Sequence, residues 1–377
     1  MKIKKINIKN FRHFEKFEFN FLNENFNLVV WENGAWKTTI FDSLRILFDS
    51  NLFLAHFLNE KDFYENKEIC IEVILKFDNN DDNLYIFKDC INKVDEETVD
   101  VLVWFYKENL DSRQIYFWKK SFMDEDTFEN IENFEIKIYD IKKFIQVVYI
   151  DWARTEQNFY FNNSFYNRVW KYLYNENKES KLVKLDKSGL KNNEKMKKII
   201  NNSWKNKFVA YLIEIKLLHD ENKNIYLDSY DNLPLSTFLN LLRLNLDGKH
   251  LTQNSIGWQY LAFTVFAIFY IKELEKKDKE EKEEEYYLIL MEEPEAHLHP
   301  QMQRNLLNFI KEKFKDIDNS SLLVSTHSPN IIRSVKDIKR TILIRGEKKY
   351  KESLPSMKVK GNLLTKAIHG IRKEPRQ

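Results

Sequence analysis

Leu288-Ile289-Leu290-Met291-Glu292-Glu293-Pro294-Glu295-Ala296-His297-Leu298-His299-Pro300 begins as a compact apolar run and closes on two adjacent carboxylates. With Tyr286 and Tyr287 ahead of it, the run reads as a short buried strand. A buried strand ending in paired acids suits metal-assisted hydrolysis. One carboxylate faces Mg²⁺ through water, and the next orients and deprotonates an attacking water. In that reading Glu292 is the metal-side acid and Glu293 the base. The bland alternative is a surface pair of acids. His297 and His299 could suggest a metal site, but no Cys or Asp spacing supports one, so a structural role is favoured for both.

Two further clusters flank this one in a fixed order. Upstream, Trp31-Glu32-Asn33-Gly34-Ala35-Trp36-Lys37-Thr38-Thr39 follows the buried run Asn27-Leu28-Val29-Val30. It precedes a helix pattern from Thr38 to Asp49, with Ile40, Phe41, Leu44, Ile46, Leu47 and Phe48 apolar. Strand, polar loop, helix is the setting of a phosphate-binding loop, whose backbone N–H groups and helix N terminus wrap a β-phosphate. Lys37 would neutralise the β- and γ-phosphates, and the Thr38 hydroxyl would hold Mg²⁺. Downstream, Leu322-Leu323-Val324-Ser325-Thr326-His327-Ser328-Pro329 is another strand ending in polar residues. His327 could donate a hydrogen bond to a γ-phosphate. Alone, such a histidine would more often be structural, and it is the order of the three clusters that carries the reading.

The rest of the chain frames them. Ile3, Ile6, Ile8 and Phe11 sit among lysines, and Phe17, Phe19 and Phe21 alternate with polar residues, so the chain opens on strands. Glu68 to Phe77 and Asn83 to Tyr106 read as β-rich, Val147 to Ile150 as a short buried strand, and Arg340 to Arg345 as a last one. From Glu156 to Asn245 the texture is helical and polar. Within it, Lys178 to Lys207 holds ten lysines against three acids. A solvated helical face is the favoured reading, and an arm on a phosphate backbone or partner the sharper one. Leu261 to Leu274 is an apolar helix that runs into a charged helix end or loop, Glu275 to Glu285. An amphipathic helix carries Met302, Leu306, Leu307, Ile310 and Phe314.

Composition bounds the possibilities. The 377 residues are 43% hydrophobic and 31% charged, a globular balance with room for two to three domains. Net charge is only +2, but the last fifty residues carry +10 and the remainder −8. That tail suits DNA, RNA or an acidic partner, or serves as a simple solubilising end. Two cysteines, Cys70 and Cys90, suit a reducing compartment. No stretch approaches the roughly 20 apolar residues of a membrane helix, and no apolar run follows the Lys-rich start, so a cytoplasmic protein without a signal peptide is expected. Glycine is scarce: seven in the whole chain, where about 7% is usual.

The stretch Glu292 to Gln301 (EEPEAHLHPQ), together with Ser325 to Pro329 (STHSP), resembles the overcoming-lysogenization-defect (OLD) family, a branch of the ABC-type ATPases that includes RecF and SMC heads. Ile8 to Phe14 (IKNFRHF) and Tyr149 to Arg154 (YIDWAR) resemble family segments too. The resemblance covers most of residues 1–345. It implies an α/β P-loop NTPase of ABC-ATPase type, a mixed sheet with flanking helices and a helical insertion, that binds ATP and Mg²⁺ and hydrolyses ATP. By resemblance Asn33, Gly34, Ala35, Lys37, Thr38, Thr39 and Arg12 bind nucleotide, Thr38 and Glu292 hold the metal, Glu293 is the catalytic base and His327 the switch histidine. The counterpart of the ABC signature is Ser255-Ile256-Gly257-Trp258-Gln259, with Ser255, Gly257 and Gln259 acting in trans on ATP held by a second copy, hence a homodimer. The signature serine's own position is Ile256. The implied layout is an N-terminal ATPase lobe at 1–155, a helical insertion at 156–250, a C-terminal lobe at 251–346 and a basic tail at 347–377.

The sequence departs from the pattern where glycine matters most. Residues 31 and 36, glycines in the Walker pattern, are both Trp, and Trp258 stands at a signature glycine. A glycine that lets backbone approach a phosphate cannot be replaced by an indole without abolishing binding. Either the chain is a degenerate or engineered dead ATPase, or UGA codons that encode glycine in the source have been read as Trp. Persistence of Lys37, Thr38, Glu293 and His327 favours the second.

OLD-type chains usually continue into a Toprim nuclease domain. After His327 there is one Asp and no Asp-x-Asp, so a separate nuclease or effector subunit is expected, plausibly in anti-phage defence. The alternatives are a nucleotide-independent scaffold for nucleic acid or a partner, and a RecF- or SMC-like DNA-repair ATPase. A transporter subunit is the weakest.

Overall fold

The chain opens on strands, as the sequence implies. The computed structural model describes residues 1–21, 26–31, 36–49, 58–109, 144–151, 205–206, 208–216, 225–228, 243–246, 248–250, 253–281, 285–315, 317, 319–334 and 341–344. In these, β1 (Lys2–Phe11) pairs antiparallel with β2 (Phe14–Asn20) and, on its other side, with β4 (Ile69–Asp78). Two more strands, β5 (Ile91–Val94) and β6 (Thr98–Lys107), complete an antiparallel sheet in the order β2-β1-β4-β6-β5. Ile6 stands opposite Phe19 and Val73, and Val73 opposite Val103, so one face is a continuous apolar surface. The other face carries a smaller cluster of Cys70, Leu102 and Trp104. Beside it the buried Glu72 accepts a hydrogen bond from Asn7 Nδ2 at 2.5 Å.

A second sheet is built from the apolar runs. Its strands are β3 (Phe26–Trp31), β7 (Ile145–Asp151), β11 (Tyr286–Glu292), β12 (Ser320–Thr326) and β13 (Thr341–Ile344), in the order β13-β3-β12-β11-β7. The β13–β3, β3–β12 and β12–β11 pairs are all parallel. Every residue of β11 and β12 is buried, as parallel strands covered on both faces require. The helix α1 (Trp36–Phe48) follows β3 and buries Ile40, Phe41, Leu44, Leu47 and Phe48. These side chains share one core with Ile6, Ile8, Val73 and Val103 of the first sheet and Val29, Leu288, Leu290 and Leu323 of the second.

Residues 82–90 correct the sequence reading. Asp82–Cys90 is a 3₁₀ helix rather than strand. Asp81 accepts from the Asn83 N–H at its start, and Phe87 anchors it, fully buried, 5.2 Å from the Phe77 ring and 6.0 Å from Phe144. Local side-chain capping and one aromatic anchor outweigh β propensity there.

The chain divides into two compact units. The first holds Met1–Tyr149, Glu281–Glu292 and Phe314–Gln377, and with them both five-stranded sheets save the end of β7. The second holds Ile150–Glu280 and Glu293–Lys313. In the second unit, helix α2 (residues 208–214) packs Phe208 on Phe266, and Tyr211 on Phe269 and Phe309. Those partners lie on α3 (Ile256–Glu281) and α4 (Pro300–Phe314). Strands β8 (Ile225–Asp228), β9 (Arg243–Leu246) and β10 (Lys249–His250) form a small antiparallel sheet, so the described part of 156–250 carries strands as well as helix. Residues 178–204, which hold most of the lysine-rich stretch, and the tail beyond residue 344 lie outside the described residues. Among those described, no helix is long and apolar enough to cross a membrane.

Candidate active site

Strand order gathers the first unit's polar strand ends. Because β12 lies between β3 and β11, the register places Glu292 opposite Ser325, Ser325 opposite Val29, and Thr326 opposite Val30. All three strands are parallel, so their carboxyl ends reach one edge within about two residues of each other. Trp31 ends β3 at that edge, Glu292 ends β11, and His327 follows β12. A crevice outside the carboxyl ends of parallel strands is the favoured ligand position of such sheets.

Glu292 is 8% exposed and accepts a hydrogen bond on Oε2 from the Tyr149 hydroxyl of β7 at 3.0 Å. The Tyr149 ring stands edge-on to Phe41 with centroids 6.3 Å apart, and the Arg45 guanidinium carbon lies 4.0 Å above it. Arg45 and Asp42 are one helical turn apart on α1, and Arg45 Nη1 donates to Asp42 Oδ1 at 3.0 Å. Asp42 Oδ2 accepts from Arg12 Nη1 at 2.7 Å, and Arg12 Nε donates to Asp62 at 2.7 Å. Burial works against the Arg12 charge, yet Asp42 and Asp62 outweigh it and move its pKa up. Arg12 therefore stands in an ion-pair network reaching into α1. Its own backbone is left-handed, at φ 53°.

Thr326 and Ser328 shape the chain where it leaves β12. The Ser328 N–H donates to Thr326 Oγ1 at 3.0 Å, and Ser328 Oγ accepts from Asn330 N at 3.2 Å. Ser328 thus caps α5 (Pro329–Ser334), with Pro in the first helical position. The cap fixes where the chain leaves β12 and leaves His327, half-buried, at the strand end.

Glu293 follows Glu292 in the chain and adopts φ 43°. Its carbonyl accepts from Ala296 N at 2.9 Å, and the Glu295 carbonyl accepts from Leu298 N at 3.1 Å, which winds residues 293–298 into successive tight turns. His297 also has positive φ, at 58°. His299 ends the turns, with its carbonyl accepting from Met302 N and Gln303 N as α4 begins. Among the described residues no group of three or more His, Cys, Asp or Glu could hold a metal by itself.

The signature-like segment opens α3 in the second unit. Ser255 precedes the helix and is exposed, as is Ile256. Gly257 and Gln259 point inward: both are buried, and Gln259 Nε2 donates to the Asn254 carbonyl at 2.8 Å. A Cβ on Gly257 would lie 2.5 Å from the His297 carbonyl oxygen. The glycine is thus required by the packing of α3 on the 293–298 turns. The helix begins at Ile256 rather than Leu261, and continues to Glu281 through the charged run.

Asn33, Gly34 and Ala35 lie outside the described residues, as do the side chains of Trp31, Trp36 and Lys37. Thr38 is half-buried and Thr39 buried on the first turn of α1. Among the described residues, Thr39 Oγ1 and Ser325 Oγ are buried hydroxyls with no hydrogen-bond partner. Leaving such a group unsatisfied costs roughly 1–3 kcal/mol, so their presence in α1 and β12 fits a polar ligand at this edge. Carboxylate and hydroxyl oxygens are donors for a hard cation such as Mg²⁺, which keeps water and substrate phosphates as its other ligands. The sequence reading gives Asp42, Arg45 and Tyr149 no site role. The visible signals are the Asp-x-x-Arg spacing on α1 and, for Tyr149, the family-like segment Tyr149 to Arg154.

Similarity to known proteins supports the fold. The family described as AAA ATPase domain matches residues 1–188 and 153–332. Endonuclease GajA of Bacillus cereus (strain HuB5-5) is 24% identical over 365 residues, covering 81% of this chain and 52% of that protein. The chain thus spans about half the length of that relative. Among solved structures, an Smc head bound to the C-winged helix domain of ScpA superposes with a TM-score of 0.53 at 16% identity, covering 94% of this chain and 95% of that one. An Smc head with an extended coiled coil, bound to the C-terminal domain of ScpA derived from Pyrococcus furiosus, gives 0.51 at 15% identity, covering 99% of this chain and 100% of that one. The fold is a mixed α/β P-loop ATPase fold like that of the ABC-type heads.

Proposed function

The chain belongs to the AAA ATPase domain family, and from that premise we propose that it binds ATP with Mg²⁺ at the carboxyl edge of the β3-β12-β11 strands and hydrolyses it. The observation that carries the reading is the register of Val29, Ser325 and Glu292 across three parallel strands, which brings the three sequence clusters to one edge. In this reading the backbone N–H groups between β3 and α1 would meet the phosphates, and Lys37 would offset their charge. Thr38 and Glu292 hold the metal side. The chemistry that Mg²⁺ would supply there is neutralisation of the charge that develops on the phosphates. Glu293 takes a proton from the attacking water as its oxygen bonds to the γ-phosphorus. The bond to the ADP oxygen breaks, and ADP leaves as the anion. His327 donates a hydrogen bond to the γ-phosphoryl oxygens.

In this reading the exposed start of α3, at Ser255 and Ile256, faces ATP held by a second copy, so two chains close on two nucleotides. The OLD-like segments and the likeness to an endonuclease support a cytoplasmic ATPase that gates a nuclease or other effector in DNA metabolism or anti-phage defence. A second reading rests on Trp31 and Trp36. With indoles in the phosphate loop, the chain would work as a scaffold that binds nucleic acid or a partner without nucleotide.

Steady-state hydrolysis decides between them. Trp31→Gly with Trp36→Gly should hydrolyse ATP, and adding Glu293→Gln should slow turnover about 10²- to 10⁴-fold while an ATP-bound dimer accumulates in light scattering. A glycine-restored protein that stays monomeric and ATP-blind would sink the ATPase reading. The mass of the tryptic peptide Phe17 to Lys37 from the native source shows which residues the cell installs at both positions.

A further inference from the structure

We infer that Tyr149 is the positioning residue for Glu292, aiming the carboxylate at the cation and tying its orientation to the helix that follows the phosphate loop; this rests on the nucleotide reading above. A carboxylate at a strand end can rotate about its side-chain torsions, and a partner that holds one oxygen presets how the group is turned. Tyr149 removes that freedom. Its hydroxyl donates to Oε2 at 3.0 Å, which fixes how the carboxylate group is turned. A hydrogen bond to a charged acceptor is about twice as strong as a neutral one, and here it forms at a buried carboxylate.

Tyr149 is itself held by α1. Phe41 meets its ring edge-on, and the Arg45 guanidinium lies over its face at 4.0 Å. A cation above the ring is attracted to its negative face and draws electron density from the phenol, which makes the O–H a better donor. Arg45 cannot easily leave, because Asp42 holds it at 3.0 Å and Asp49 lies 3.7 Å from its Nε. Asp42 also takes Arg12 at 2.7 Å. One path of contacts therefore runs from the β1–β2 turn through two residues of α1 to the metal-side acid. Arg12 and Glu292, assigned separately by resemblance, are its two ends. A displacement of α1 when the phosphate loop fills would be felt at Glu292 through Arg45 and Tyr149.

Tyr149→Phe in the 377-residue chain carrying Trp31→Gly and Trp36→Gly tests this, since it keeps the ring and both ring contacts and deletes one oxygen. The Mg²⁺ concentration that half-saturates hydrolysis should rise about tenfold, the scale of one charge-assisted hydrogen bond. ATP affinity in EDTA should stay within about twofold of the parent. Equal losses with and without Mg²⁺ would mean a merely structural tyrosine, and unchanged Mg²⁺ dependence would mean no role; either overturns the inference. A second arm uses Glu292→Asp, which withdraws the carboxylate by one methylene and breaks the same bond. Adding Tyr149→Phe to it should cost nothing more, and additive effects count against the inference. If the parent binds no ATP at all, the nucleotide reading fails and this inference falls with it. That blank in the parent is distinct from a parent that binds normally and a variant that matches it.

Discussion

Gly257→Ala turns on two effects of opposite sign. Alanine is the better helix former by about 1 kcal/mol in a helix interior and by less at the second residue of α3, so at a roomy position the variant would be somewhat more stable. The structure leaves no room. The new methyl would sit 2.5 Å from the His297 carbonyl oxygen, 3.1 Å from Leu298 Cδ2 and 3.3 Å from the His297 carbonyl carbon. The leucine methyl can turn away. The carbonyl cannot move so cheaply, because it belongs to a run of tight turns in which His297 is already at φ 58°. Forcing an extra carbon into a packed contact costs about 1–3 kcal/mol. Subtracting the propensity gain leaves a net destabilisation of about 1 kcal/mol, or roughly fivefold in the folding constant. Urea unfolding without nucleotide, followed by far-ultraviolet dichroism, should show the midpoint fall with the slope unchanged. A variant stabilised by about 1 kcal/mol would refute the reasoning. Gly257 would then have to be explained by an interaction beyond this packing.

Two further outcomes follow from local geometry. Glu293 holds φ 43°, a region costing a residue with a Cβ roughly 1–2 kcal/mol, so Glu293→Gly should be more stable than Glu293→Ala by about 1 kcal/mol in urea, although both remove the proposed base; equal stabilities would mean the turn relaxes. Burial pushes the Cys70 thiol up to about 12, above the unfolded value of about 8.5, so the folded state retains a proton that the unfolded state releases. Its contribution is intact below about pH 8.5 and falls between there and about pH 12. Cys70 should also resist alkylation at pH 8 until the protein is unfolded, and rapid labelling of native Cys70 would contradict that burial.

Much of the architecture was legible because its signals are local. The runs around Leu28, Leu288 and Leu322 announced three buried strands, and the residues behind each announced polar ends. Thr38 to Asp49 announced the helix by its period. The Walker and signature patterns singled out Trp31, Trp36 and Trp258 in a chain poor in glycine, and no tertiary knowledge was needed for that. The 3₁₀ helix at Asp82–Cys90 was not legible, since its aromatic anchor Phe87 depends on Phe77 and Phe144, neither of which its own sequence contains.

The sequence by itself determined which residues could do the chemistry, because residue type and chain spacing are enough to place acids, a lysine and a histidine after buried runs. Only the tertiary structure decided that β12 enters between β3 and β11, so that Val29, Ser325 and Glu292 share a register. Strand neighbours are chosen by burial and hydrogen bonding over the whole sheet, and β3 meets β12 across nearly three hundred residues of chain. The same holds for Tyr149 and Glu292, 143 positions apart, and for Gly257 against His297. Local periodicity reports which face of an element is apolar, whereas contacts between elements are set by the packing of many faces at once.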